Sequence, residues 1–260
     1  MVNLSWRNER FKSENEVAGR FVGAYASTND ITGLATGTIE GFGVNAGLYG
    51  ARKMESGLYL DYYMGAAAGR HKFGLNFVRP AGITTANGSY DYMALFLGSA
   101  ISTETSLGAY QISPRLGFDA AWSPGGDAEV SVTRGGLEDF GDLSTGSLSG
   151  LRVFAELEFG DLLLQHPETL SFTPQLFCDR PIRDLENRCG MGAKLKLAHE
   201  NLEDGSVYSI LLSGEASESH EAYSLGIESS RPLLGGTVSG SGTLGADGAV
   251  SVLANYGLRF

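Results

Sequence analysis

The chain has 260 residues, with 30 acidic against 19 basic side chains and a formal net charge of −11 at pH 7. A surplus of that sign excludes the basic face that nucleic-acid binding requires. Hydrophobic residues make up 42 % of the chain, with 37 glycines and only 7 prolines, so a sizeable core can form and Pro/Gly-rich disorder is excluded. No stretch approaches the ~18 uncharged apolar residues of a membrane helix. The β-barrel, whose apolar residues are diluted by alternation, remains the one open membrane architecture.

From the start, Met1–Lys12 carries Arg7, Glu9, Arg10 and Lys12 and no apolar run, so it is not a signal peptide. Beyond it the hydrophobic pattern has period two and recurs. Leu58, Leu60, Tyr62 and Met64 oppose Tyr59, Asp61 and Tyr63. Tyr110, Ile112, Pro114, Leu116, Phe118, Ala120 and Trp122 oppose Gln111, Ser113, Arg115, Gly117 and Asp119. The same alternation continues through Leu151–Phe159, Leu170–Leu176, Met191–Leu197 and Tyr208–Leu212, and ends with Val250, Val252, Ala254, Tyr256, Leu258 and Phe260. One apolar and one mostly polar face is what a strand between two environments requires. About twelve such segments are expected, starting near Phe21, Val44, Leu58, Tyr92, Tyr110, Leu148, Leu170, Met191, Val207, Tyr223, Gly236 and Val250. The segments at Phe21, Tyr92 and Gly236 are the weakest. Pro114 and Pro174 fall within strands and predict bulges or ladder gaps.

Short connections (Lys53–Gly57, Thr103–Ala109, Gly160–Glu168, Asn201–Ser206, Ser230–Gly235) alternate with three longer ones, Gly74–Ser89, Ser123–Gly146 and Asp179–Arg188. Short turns on one rim and long loops on the other are the habit of a transmembrane barrel. Glu218–Glu221 and Gly245–Gly248 are short, so the rule holds in part. Cys178 and Cys189 border one long connection and would staple it in an oxidising compartment; they lack zinc-ligand spacing. The polar face carries Asp61, Arg115, Asp119, Arg152, Glu156, Glu158, Lys194, Lys196, Glu215, Glu228 and Arg259. In a sandwich this face meets water; in a barrel it lines a wet lumen. Small residues on the apolar face (Ala46, Ala66, Ala155, Ala193) and aromatic residues near strand ends favour the barrel.

No catalytic or metal site is expected, and no cofactor. His71, His166, His199 and His220 lack metal spacing, and the neighbours His199–Glu200 and Ser219–His220 point to opposite faces of a strand. Gly240–Gly245 (GSGTLG) has no helix after it and reads as a small-residue strand. The acidic stretch Gly126–Asp142, with Asp127, Glu129, Glu138, Asp139 and Asp142, lacks calcium-loop spacing and reads as a solvated loop. Cation binding near lipid headgroups is its alternative.

Three stretches together resemble the C-terminal β-barrel (translocator) domain of autotransporters, the type V secretion family: NAGLYGARKMESGLYLDYYMGAAAGRHK around residues 45–72, SPRLGFDAAW within Tyr110–Trp122, and the last strand, AVSVLANYGLRF. The resemblance implies an integral outer-membrane barrel of about twelve antiparallel strands over 20–260, surrounded by lipid and lipopolysaccharide. It further implies insertion by the barrel-assembly machinery, with Tyr256, Leu258 and Phe260 as the assembly signal. It implies an N-terminal passenger threaded through the lumen and a helix left in the pore. Here residues 1–19 are expected to be a linker or pore segment, with Trp6–Gly19 as a polar helix, an additional strand or a tail. An even strand number favours helix or tail over a thirteenth strand. The family's Asn–Asn junction is absent, so no self-cleavage is expected. A passenger-free pore or surface adhesin is the alternative function.

Overall fold

The computed structural model describes residues 2–31, 35–79, 82–108, 110–160, 167–181, 188–217, 220–233, 236–246 and 250–259; for Val2, Asn3, Arg79, Thr145, Pro181, His220, Leu233, Gly236 and residues 255–259 the backbone alone is described. Every regular element among these residues is a strand. In chain order they are β1 (Val2–Ser13), β2 (Glu16–Ile31), β3 (Thr36–Lys53), β4 (Tyr59–Arg79), β5 (Gly82–Ser102), β6 (Thr105–Leu107), β7 (Tyr110–Ser123), β8 (Gly126–Arg134), β9 (Leu137–Thr145), β10 (Leu148–Gly160), β11 (Glu168–Pro181), β12 (Arg188–Asn201), β13 (Ser206–Ser217), β14 (His220–Leu233), β15 (Gly236–Gly245) and β16 (Val250–Arg259).

Thirteen of them, β1–β5, β7 and β10–β16, form a closed ring. Each strand pairs antiparallel with its neighbours except at one seam, where β1 runs parallel to β16 from Val2↔Val252 to Glu9↔Arg259. The ring is sealed at the β5–β7 pair, Leu95↔Trp122 to Ser102↔Arg115. The twelve segments read from sequence correspond to β2–β5, β7 and β10–β16. The expectation for Trp6–Gly19 is corrected: it forms neither a pore helix nor a tail but lies in β1 and the start of β2, as a thirteenth wall strand. A parallel seam is what allows an odd number of otherwise antiparallel strands to close.

Two expected loops are also corrected. Residues 74–89 largely continue β4 and β5. Within 123–146, β8 and β9 form a hairpin whose register matches that of the β7–β10 pair across a gap at residues 124–125 and 146–147. The hairpin turns on Gly135 and Gly136, both at positive φ (57° and 84°), which is the backbone of a two-residue primed turn. With β5 pairing β8 from Thr84 to Ser89, the sheet β3–β4–β5–β8–β9 rises as a one-sided wall beyond the rest of the upper rim.

Pro114 and Pro174 sit at ladder gaps, not bulges. Pairing of β5 with β7 ends at Arg115, and the Pro114 carbonyl accepts from the Thr103 amide beyond that point. Pairing of β10 with β11 skips from Glu156↔Gln175 to Phe159↔Phe172, leaving Pro174 outside it.

One face of the ring is apolar and exposed. It carries Phe42, Val44 and Leu48 on β3, Met64 on β4, Leu95 and Leu97 on β5, Leu176 on β11, Met191 on β12 and Ile227 on β14. On β4 the apolar run of this face extends from Leu60 to Ala68 before Arg70 and Lys72 interrupt it. At ~3.4 Å per residue and ~40° tilt these eight steps span about 21 Å, close to the height of a barrel's lipid-facing band. The Arg70–Asp91 ion pair (2.6 Å) stands directly above that band. Cys178 and Cys189 are cross-strand neighbours on this same face, joined as a disulfide (Cα–Cα 4.0 Å) between β11 and β12.

On the other face, glycines admit aromatic rings from neighbouring strands. A Cβ on Gly65 would lie 2.5 Å from the Phe96 ring, and one on Gly98 2.5 Å from the Tyr63 ring. At Gly19 all the nearest atoms belong to the Tyr49 ring, whose hydroxyl donates to Glu9 (2.7 Å). Gly19→Ala is therefore expected to cost about 1–2 kcal/mol through displacement of that ring. In a Tyr49→Ala background the same substitution should be nearly neutral. Urea unfolding of the four proteins of this cycle in phospholipid vesicles reads the coupling; additive losses would remove the ring from the explanation.

Candidate functional site: a lumen of two halves

Which face is interior follows from contacts between strands that are not neighbours. Arg152 on β10 reaches Glu215 on β13 (3.2 Å), and Lys194 on β12 reaches Glu156 on β10 (3.0 Å). The rings of Phe21 on β2 and Phe96 on β5 are 6.2 Å apart, and those of Tyr25 and Tyr92 on the same strands 6.3 Å. Side chains from strands two or three apart converge only on the concave side of a closed sheet. The charged and aromatic face is therefore the lumen, and the apolar face looks outward.

The lumen wall is chemically divided. From β2 to β5 it is aromatic over glycine. Phe21, Tyr49, Tyr63 and Phe96 form one cluster, with centroid separations of 6.2–6.4 Å. Tyr25, His71, Tyr90 and Tyr92 form a second, in which His71 stacks at 5.2 Å on Tyr90 and lies 4.9 Å from Tyr92. A cavity of about 350 Å³ opens between this half and the β16–β1 seam, lined by Phe21, Tyr49, Tyr63 and Phe96 on one side and Ser5, Arg7 and Leu253 on the other.

From β7 to β14 the wall is charged and layered. Phe154 and Phe177 lie buried against Gly117 and Gly190. The Arg115 and Arg152 guanidinium groups lie 5.2 and 4.5 Å above their rings. Carboxylates complete the layer. Arg152 forks onto Asp179 (2.7 and 3.0 Å) and also reaches Glu215. Glu156 accepts from both Arg115 (3.2 Å) and Lys194 (3.0 Å). Glu228 accepts from Lys196 (2.9 Å) and from the Ser209 hydroxyl (3.1 Å). A carboxylate partner over a ring gives each guanidinium both a countercharge and a π-face, with Arg152 alone of the two forking onto its acid.

The charged residues singled out from sequence are distributed as follows. Arg115, Glu156 and Lys194 form one group, Arg152 and Glu215 a second with Asp179, and Lys196 and Glu228 a third. Asp119 accepts from the Tyr63 hydroxyl (2.6 Å) at the border of the two halves. Asp61 shares the lumen face opposite Ala100, and Glu158 shares it opposite Ser113. Tyr256, Leu258 and Arg259 lie in β16, with their side chains outside the described residues, as is all of Phe260. The alternation alone places Tyr63 and Phe154 on the lumen face but does not reveal the other lumen aromatics, nor Asp179, which falls within an expected connection.

Other candidates take plain places. His199 lies outward, 4.0 Å from Glu168, on the face opposite to Glu200. Gly240–Gly245 lies within β15. His166 and Ser219 lie outside the described residues, as does the side chain of His220. Among the described residues no grouping of three or more His, Cys, Asp or Glu side chains could hold a metal ion. In the lower-rim turn between β12 and β13, the Asp204 carboxylate accepts from the Ser206 amide (3.0 Å) and is held below its usual range by that bond.

An apolar outer band, a polar and aromatic interior and a closed hydrogen-bonded ring define a transmembrane β-barrel. Among solved structures the barrel is similar to the beta domain of the Bordetella autotransporter BrkA, with a TM-score of 0.44 and 12 % identity over 92 % of this chain and 95 % of that one. It is also similar to the ferric citrate transporter FecA in its unliganded form (TM-score 0.37, 9 % identity), covering 90 % of this chain and 41 % of that one. No family model matches the chain, and no curated protein does.

Arg152 is the most connected lumen charge, with side chain and partners about one-third exposed. Arg152→Met leaves Asp179 and Glu215 without their cation and is expected to destabilise the barrel by about 1–3 kcal/mol. Adding Asp179→Asn and Glu215→Gln should recover part of the loss. Vesicle-reconstituted unfolding measures both; an unchanged midpoint in the single variant would show the fork to be energetically idle.

Proposed function

We propose that this barrel resides in a bacterial outer membrane and anchors and supports the export or display of a passenger polypeptide joined ahead of Val2. The observation that carries this reading is the direction of β1. Because β1 runs parallel to β16, Val2 stands on the rim of the tall β4–β5 and β8–β9 extensions, and the C-terminal end of β16 stands on the rim of short turns. In outer-membrane barrels short turns face the periplasm and long connections the exterior. A segment preceding β1 then emerges at the outer rim. β1 (Val2–Ser13) is itself a wall strand, so the barrel includes residues 2–19 as well as 20–260, and the junction with that segment falls at the N-terminal end of β1.

In this reading the layered charges keep the lumen hydrated and receive a polar segment during passage. Asp61 and Glu158 belong to the same lining. The apolar band meets lipid and lipopolysaccharide, and the barrel's work is non-catalytic. Tyr256, Leu258 and Phe260 form the signal that the barrel-assembly machinery reads. Surface adhesion without a passenger is a second reading, favoured by the tall one-sided wall of β3–β5, β8 and β9.

An epitope fused ahead of Met1, behind a secretion signal, should become accessible to antibody and protease on intact cells. Protection until the outer membrane is breached would reverse the orientation and remove the display role. Deletion of Phe260 should lower the amount of heat-modifiable barrel in the membrane fraction several-fold; normal insertion would count against the assembly signal.

A further inference from the structure

The ring removes every strand edge within the membrane-spanning wall, yet the sheet still has a free long edge. β9 pairs with β8 on one side, and no described strand pairs its other side. The Phe140 amide donates to Asp139 Oδ1 (2.9 Å) and not to β8. This places the main-chain groups of Glu138, Phe140 and Asp142 along the free edge. Leu137, Phe140 and Leu143 are exposed there, at 80, 75 and 53 %.

The faces beside this edge differ in chemistry. Pairing through β5 places Asp127, Glu129, Ser131 and Thr133 of β8 with Ser144, Asp142, Phe140 and Glu138 of β9 on the outward face. No Lys or Arg lies among these eight residues. Glu129 stands directly opposite Asp142, a cross-strand pair of like charge that is unfavourable until a cation approaches. The opposite face carries Ala128, Val130, Val132, Leu143 and Leu137.

We propose that the β9 edge is a docking site for an extended basic segment of another polypeptide, which adds to the sheet as a further strand. Its Lys or Arg residues, spaced every second position, would lie over Glu138, Asp142 and Glu129. Its alternate aliphatic residues would lie beside Leu137 and Leu143. Main-chain bonds give such an added strand its affinity, and alternate side chains its selectivity. The Asp139 carboxylate holds the place that the partner's carbonyl takes on the Phe140 amide. A second copy of this chain is the wrong occupant: antiparallel pairing of two β9 strands about Phe140 would set Glu138 of each against Asp142 of the other. That repulsion guards the edge against self-association, as exposed edges require.

The probe is a nonapeptide of alternating lysine and valine, titrated by fluorescence anisotropy against the full barrel in zwitterionic detergent. An alternating glutamate–valine peptide and a shuffled lysine–valine peptide are the controls. Saturable binding is expected for the alternating basic peptide alone, weakening as salt rises. Phe140→Pro removes one edge amide without touching a β8 bond and should weaken binding at least tenfold. Glu138→Lys with Asp142→Lys leaves the backbone unchanged and should switch preference to the glutamate–valine peptide. The peptide should also slow hydrogen exchange at the Phe140 and Asp142 amides. Absence of saturable binding overturns the proposal. So does undiminished binding to the proline variant, which would leave only a charged patch, or self-association of the barrel through β9.

Discussion

In hydrocarbon no water is present to accept or donate a hydrogen bond, so each main-chain group of the wall must find a partner within the wall. That constraint decides the architecture. Twelve antiparallel strands run from β2 round to β16, and β1 completes the ring between the last and the second strand. Inserting one more strand at that place forces it to lie parallel to one neighbour. The pairing Val2↔Val252 through Glu9↔Arg259 satisfies the constraint at the seam, and it puts the N-terminal end of β1 and the C-terminal end of β16 on opposite rims.

Closure creates a second demand, since the concave side must be filled or wetted. One half of the lumen places rings on glycine: Tyr49 on Gly19, Phe96 on Gly65, Tyr63 on Gly98. The other half starts the same way, with Phe154 on Gly117 and Phe177 on Gly190, and adds Arg115 and Arg152 with their carboxylates. The high glycine content is thus concentrated where rings or backbone approach closely. Neutralising acids by forks within the wall lets the lumen be charged without a net repulsive ring of carboxylates. Ion pairs this accessible add modestly to stability individually; sharing Glu156 between two cations and Arg152 between two acids makes them a network.

The alternation that carries an outward apolar face was legible in the sequence wherever the inward face was charged, as in β10 and β12. It was faint in β2 and β5 because Phe21, Tyr25, Tyr92 and Phe96 make the inward face aromatic as well, and faint in β15 because glycine and serine give neither face a signature. A glycine at the facing position of the neighbouring strand marks an inward ring, but that cue requires the register, which one sequence does not supply. β1 was hidden for a different reason: Asn8 and Arg10 occupy outward positions near the lower rim, so among the described side chains only Leu4 and Trp6 show the band. The β8–β9 hairpin had a readable turn, Arg134–Gly135–Gly136–Leu137, between alternating runs. Its five acidic residues outweighed that cue in a reading that equated charge with loop.

The two departures from an even, level barrel have one geometric origin each, and together they give the molecule a polarity. The parallel seam puts the N-terminal end of β1 on the same rim as the raised wall. β8 and β9 keep the mutual register of β7 and β10 across the unpaired residues 124–125 and 146–147, and β8 pairs onto β5 shifted by one residue relative to β7, so that wall extends the transmembrane sheet through β5 and is not a separate loop. Pairing of β8 along the upper half of β5, itself a strand of the wall, sets the place of the free β9 edge above the membrane band. Within the membrane an unpaired edge is forbidden by the absence of water. Above it, water satisfies the same groups at little cost, and the edge becomes available for recognition. The height of the apolar band therefore sets where on this sheet pairing is obligatory and where it is open to a partner.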